Sequence, residues 1–165
     1  MKKYAKHLKR ALHLGVKGAK IIRTNSIVTA GWVRLKCQFG CDGYGGRLTC
    51  PPYAPAPAQT KEMLAHYKYA LLIHGDKQTN VRNIAVILER DIFLDGYHKA
   101  LGLGAGPCTL CARCSKTCKH PDKARPSMEA CGIDVFGTAR KNRFPIEVLK
   151  KKNANRNYYG LVLIE

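Results

Sequence analysis

The chain has 165 residues, 45% of them hydrophobic, a length and balance that describe one globular domain and exclude wholesale disorder. It carries 29 Lys and Arg against 11 Asp and Glu, a formal charge of +18, together with eight cysteines. Its apolar runs, such as 70–73 and 161–164, are too short to span a bilayer, and the basic N-terminus lacks the apolar stretch of a secretory signal. A cytoplasmic, reducing location is therefore expected, where clustered cysteines point to metal or redox chemistry rather than disulfides.

In chain order, Tyr4, Leu8, Ala11, Leu12, Gly15, Ala19 and Ile22 recur at helical spacing between lysines and arginines, which predicts a basic amphipathic helix over about 3–20. The β-branched and aromatic stretch 27–36 predicts a strand. A loop rich in Gly, Cys and Pro follows over about 37–57, and Thr60 is placed to cap a short helix ending near Tyr67. The run 69–74 reads as a buried strand ended by Gly75 and Asp76. Thr79 or Asn80 caps the next helix, which carries Val81, Ile84, Ala85, Leu88 and Ile92 on one face and extends toward Leu101.

Gly102, Gly104, Gly106 and Pro107 stop that helix and open a second cysteine-rich loop, about 107–132. Within it, 126–132 reads as one short helix with Gly132 as its stop. The basic residues at 140–143 and 150–152 belong to solvated loop and helix, and 158–164 reads as a closing strand. Strands and helices without regular alternation predict an α+β fold. We expect a small sheet with packed helices and two cysteine-rich loops, forming a single domain over 1–165.

The cysteines carry the chemistry. Cys108, Cys111, Cys114 and Cys118 follow a C-x2-C-x2-C-x3-C spacing. Zinc sites usually pair two C-x2-C knuckles across a longer loop, whereas one winding loop dense in thiolates suits a cuboidal iron–sulfur cluster. In bacterial ferredoxins with this run the fourth cysteine serves the other cluster. By that precedent Cys108, Cys111, Cys114 and Cys131 would hold a first [4Fe–4S] cluster, and Cys37, Cys41, Cys50 and Cys118 a second. Two clusters then use all eight cysteines. In the alternative, Cys108, Cys111, Cys114 and Cys118 bind one cluster alone, and Cys37, Cys41 and Cys50 bind another with Cys131 or His120. The plain reading of Cys131 is a thiol that packs, and that of His120 a surface or hydrogen-bonding residue. Gly43, Gly45 and Gly46 lack the Lys-Ser or Lys-Thr ending of a phosphate loop, and are expected to let amides approach cluster sulfurs.

Three motifs together resemble a prokaryotic family of predicted metal-binding proteins with a domain of unknown function. They are Cys50-Pro51-Pro52-Tyr53, the Cys108–Cys118 run, and the segment from Arg125 to Val135, RPSMEACGIDV. The resemblance spans about Trp32 to Val135 and implies an anaerobe-associated metalloprotein without assigning a reaction. A narrower resemblance to two-cluster ferredoxins covers the run alone. There the chain departs from the pattern, because Lys119 and His120 stand between Cys118 and Pro121.

Ten of the first 36 residues are Lys or Arg and none is acidic. Such a surface suits an acidic redox protein or oxidoreductase complex, nucleic acid, or an anionic membrane surface. No nucleic-acid-binding motif accompanies it, which favours the acidic protein. The expected function is one-electron transfer with a partner oxidoreductase. The alternative is a zinc-stabilised basic module that binds nucleic acid, and a third reading is an enzyme with one cluster iron open to substrate. Glu89 and Asp91 read as surface ion-pair residues, and Arg125 either pairs an anion or holds loop carbonyls.

Overall fold

The computed structural model describes residues 2–151 and 154–165, so Lys152 of the expected basic stretch lies outside them. A 3-10 turn at Lys2–Tyr4 leads into α1 (Ala5–His13) and β1 (Gly18–Arg23). Then come α2 (Gly31–Gly40), α3 (Pro57–Ala65), β2 (Tyr69–Gly75) and α4 (Val81–Leu94). The chain closes with β3 (Leu101–Leu103), α5 (Val135–Lys141) and β4 (Tyr158–Leu163). The strands form one antiparallel sheet in the order β1-β2-β4-β3, so the fold is α+β.

Strand β2 is apolar along most of its length because both sheet faces are covered. Leu71 and Ile73 point toward Val81, Ile84, Ala85, Leu88 and Ile92 of α4 and toward α1. Ala70 and Leu72 point the other way, toward Leu64, Met128, Cys131, Ile133 and Ala139. The period-2 alternation of a strand thus feeds two cores from one run. Asn80 caps α4 as expected, its side chain accepting from the Asn83 amide at 3.1 Å.

Five expectations are corrected. The helix over 3–20 stops at His13, because Gly15 takes φ +93° and the β-branched pair Ile21 and Ile22 that follows joins the sheet beside β2. The strand over 27–36 is instead an extended lead-in followed by α2, and of its residues only Thr29 makes a bridge, to Ile133. In that helix Val33 turns inward while Trp32 and Leu35 stay exposed, so packing overrides β propensity. Thr60 does not cap α3. The Gln59 side chain accepts from the Ala56 amide at 2.8 Å, while the buried Thr60 hydroxyl donates to the Cys131 carbonyl at 2.6 Å.

Helix α4 ends at Leu94, and 101–103 is a strand rather than a helical extension. Segment 126–132 is a series of turns, anchored where Ser127 bridges Gly104. Gly132 does reverse the chain, at φ +72°, and a Cβ there would sit 2.5 Å from Pro57 Cγ, so no side chain fits against the start of α3. The expected closing strand is present as β4 and lies inside the sheet between β2 and β3.

Candidate metal centre

Two cysteine-bearing loops meet at one end of the second core. Helix α2 carries Cys37 in its last turn and leads into the first loop at Cys41. There Gly43 separates two thiols. A Cβ on it would stand 3.3 Å from Cys50 Sγ and 3.5 Å from Cys41 Sγ, so a bare glycine keeps the space between them open. Burial raises the Cys37 thiol pKa, and the neighbouring Cys41, Glu129 and Cys50 charges raise it further. Burial also raises that of Cys50, against the pull of the Thr49 hydroxyl, the Cys108 amide and Arg47. Cys37, Cys41 and Cys50 therefore form one electrostatic group, with the Cys108 backbone of the second loop acting on Cys50. The amides of Gly45 and Gly46 serve the loop instead, donating to the Pro51 and Gly43 carbonyls at 2.7 and 3.3 Å.

In the second loop Cys108, Cys111, Cys114 and Cys118 are all half-buried and line one cavity of about 20 Å³. Arg47 and Thr49 of the first loop and His120 line it too. The loops are tied where the Arg47 guanidinium donates to the Cys111 carbonyl at 3.2 Å. Arg82 reaches from the first turn of α4 to the start of the run. It donates to the carbonyls of Ala105 and Gly106 at 2.8 and 3.0 Å, to that of Pro107, and to Thr109 Oγ1 at 3.2 Å. Burial lowers the Arg82 pKa, and the nearby Cys108 and Cys50 charges oppose that loss.

Arg125 anchors the exit of the second loop. Its guanidinium makes a two-point pair with Glu89, at 2.6 and 2.8 Å, and donates to the Pro121 and Ala124 carbonyls at 3.0 and 2.9 Å. Glu89 also accepts from the Gly102 amide at 2.8 Å. The two expectations for Arg125 are met together, for it pairs with the Glu89 carboxylate and holds loop carbonyls. Asp91 pairs with Arg10 at 2.9 Å, an exposed ion pair as expected.

Cys131 stands apart. It is 1% exposed within the core beneath the sheet, and burial pushes its pKa up to about 12. It is not among the residues lining the Cys108–Cys118 cavity. Its charged neighbours are Arg34 and Glu129. Arg34 donates to the carbonyls of Ala54, Pro55 and Ala130 at 3.1, 3.0 and 3.3 Å and to that of Pro52 at 3.3 Å, clamping the Pro-Pro loop onto the 127–131 turn. Glu129 has its Oε2 buried without a hydrogen-bond partner, and its carbonyl lies 4.0 Å from Cys37 Sγ.

Among the described residues no three His, Cys, Asp or Glu side chains already stand together as a metal-holding group. The chemistry of the donors fits a soft metal or a cluster nonetheless. All eight cysteines are free, and seven of them lie in two adjoining groups. Half-buried guanidiniums flank both groups, and Thr49 Oγ1 is a buried atom without a partner at the cavity wall. Sequence spacing found the cysteines but missed Arg34, Arg47, Arg82, Thr49 and Glu129. Arg34, Arg47 and Arg82 act across the fold, so no local pattern marks them, whereas Thr49 adjoins Cys50 and Glu129 lies within the RPSMEACGIDV motif.

No curated protein and no solved structure matches the chain. Residues 20–164 match the family described as Predicted metal-binding protein (DUF2284); the resemblance carried by the CPPY, cysteine-run and RPSMEACGIDV motifs therefore holds, and the chain belongs to that family.

Proposed function

We propose that the chain is an iron–sulfur protein that exchanges single electrons with an acidic oxidoreductase partner. The observation that carries this reading is the C-x2-C-x2-C-x3-C run lining a single cavity against a second thiol group. Of the two ligand assignments, the cavity supports the one in which Cys108, Cys111, Cys114 and Cys118 act as one set. Cys37, Cys41 and Cys50 then form the core of a second set, and Cys131 is a packing thiol. A bound [4Fe–4S] cluster would supply one-electron storage spread over iron and sulfide.

The rest of the task falls to residues of this chain. Arg82 and Arg47 offset negative charge at Cys108 and Cys50, which favours holding thiolates and an added electron there. The Cys108 backbone acts on Cys50 in the same direction. Leu48 and Leu110 line the cavity wall and limit water access. Outside, Trp32, Leu35 and Phe39 are exposed on α2, with Phe39 80% exposed and only two residues from Cys37. An apolar patch beside the thiols on a chain of charge +18 is suited to an acidic redox partner, which gives up or takes one electron per encounter.

Anaerobic purification with iron, sulfide and zinc analysis tests this, followed by electron paramagnetic resonance of the reduced protein with spin quantitation. Iron with equal acid-labile sulfide and a reducible spin signal is the expected result. A colourless protein with stoichiometric zinc overturns it and favours a zinc-stabilised module.

A further inference from the structure

The three-cysteine set lacks a fourth donor, and the surrounding side chains narrow the choice. Cys118 lines the cavity of the other loop with Cys108, Cys111 and Cys114. Cys131 is packed in the core among Leu64, Met128 and Ile133. His120 lines that other cavity too, whereas Glu129 stands at the turn whose carbonyl meets Cys37 of α2. Its carbonyl touches Cys37 Sγ, and its carboxylate lies close enough to shift both Cys37 and Cys131 electrostatically. Its Oε2 is buried and has no hydrogen-bond partner. A buried carboxylate oxygen without a donor or cation is costly to maintain. Arg34 of α2, whose charge also acts on Cys131, is committed to four backbone carbonyls.

We infer that Glu129 is the fourth protein ligand of the Cys37, Cys41 and Cys50 site, its free carboxylate oxygen taking the place a fourth thiolate would fill. The inference rests on reading those three cysteines as a metal site. It gives the two sets different chemistry. The Cys108–Cys118 set is all sulfur, whereas the second set holds one metal position through a harder oxygen donor. In an iron–sulfur cluster that position is the exchangeable one.

The test uses the full chain, reconstituted anaerobically with isotopically enriched iron and sulfide, as wild type, Glu129→Gln and Glu129→Cys. The Gln variant is expected to lose about one iron per chain while keeping its sulfide. The Cys variant is expected to keep full iron, with one iron site moving to an all-sulfur Mössbauer signature. A Gln variant with the wild-type iron count and spectrum overturns the inference. Should the Gln variant fail to fold by circular dichroism, a Cys variant with an unchanged iron spectrum overturns it equally. Failure of the underlying iron–sulfur reading looks different, because wild-type protein then takes up no iron at either set. X-ray absorption of zinc-loaded protein decides the ligand in that event. An oxygen shell abolished by Glu129→Cys upholds Glu129, and an all-sulfur shell in the wild type removes it.

Discussion

Strands β2 and β4 and the two cysteine loops hold themselves together by different means. The strands bury Leu71, Leu72, Ile73, Leu161, Val162 and Leu163 completely and bond to neighbours along their whole length. The loops have little apolar core. They are tied by guanidinium-to-carbonyl bonds: Arg34 and Arg82 reach in from α2 and α4, Arg47 links the first loop to the second, and Arg125 ties the second loop's own exit. Burial of apolar surface needs no ligand, so the sheet is self-sufficient. A loop held by a few polar bonds around inward thiols gains its remaining order from whatever the thiols bind.

The largest expected difference lies in amide exchange. In metal-free protein the amides of β2 and β4 should exchange about a thousandfold more slowly than those of 108–120, because strands open only by global unfolding and loops open locally. Metal loading should narrow that gap from the loop side alone. Equal protection of both regions in metal-free protein would break the contrast.

Next comes Leu72→Ala, at a fully buried position in β2, with an expected loss of about 3 kcal/mol in urea unfolding of the metal-free protein. Metal content per folded chain should not change. Arg125→Ala should cost less in global stability, about 2 kcal/mol, because it leaves Glu89 in a partly covered place without its partner. Its distinctive sign is faster proteolysis within 105–125 at unchanged cleavage of the strands. Similar protease sensitivity in both regions would show that Arg125 supports the sheet rather than the loop.

The smallest effect concerns His7, on the side of the sheet far from the thiols. Burial lowers its pKa, opposed by the charges of Asp95 and Asp91 and aided by Lys6, while the Tyr97 ring lies edge-on to it. A depressed folded value means the unfolded chain binds the proton first. Stability should therefore be fully present above the ordinary value of 6.5 and fall as pH drops through the lower folded value. His7→Gln should flatten that part of the urea midpoint against pH curve. A wild-type midpoint that rises on acidification would contradict the sign.

What the sequence made legible follows the same division. Strand β2 and helix α4 were readable because both carry their packing in their own spacing, and Asn80 marked the start of the helix. The α1–β1 boundary was obscured because apolar residues continue at near-helical spacing through Gly15, whose positive φ ends the helix without disturbing the pattern. Residues of α2 look like a strand by composition, and only the contacts of Val33 and Arg34 require a helix. At the metal centre the thiol spacing is local and could be read. The guanidiniums and Glu129 come from residues as much as 92 positions away from the thiols they meet, and pairing at that range is decided by topology.

The placement of β4 inside the sheet has a consequence for biosynthesis. Every cysteine precedes residue 158, so each thiol emerges from the ribosome ahead of the strand that fills the slot between β2 and β3. The nascent chain therefore presents its sulfur before that inner strand arrives to zip the molecule shut. Protection of those thiols during translation is a task for the cell rather than for the finished architecture.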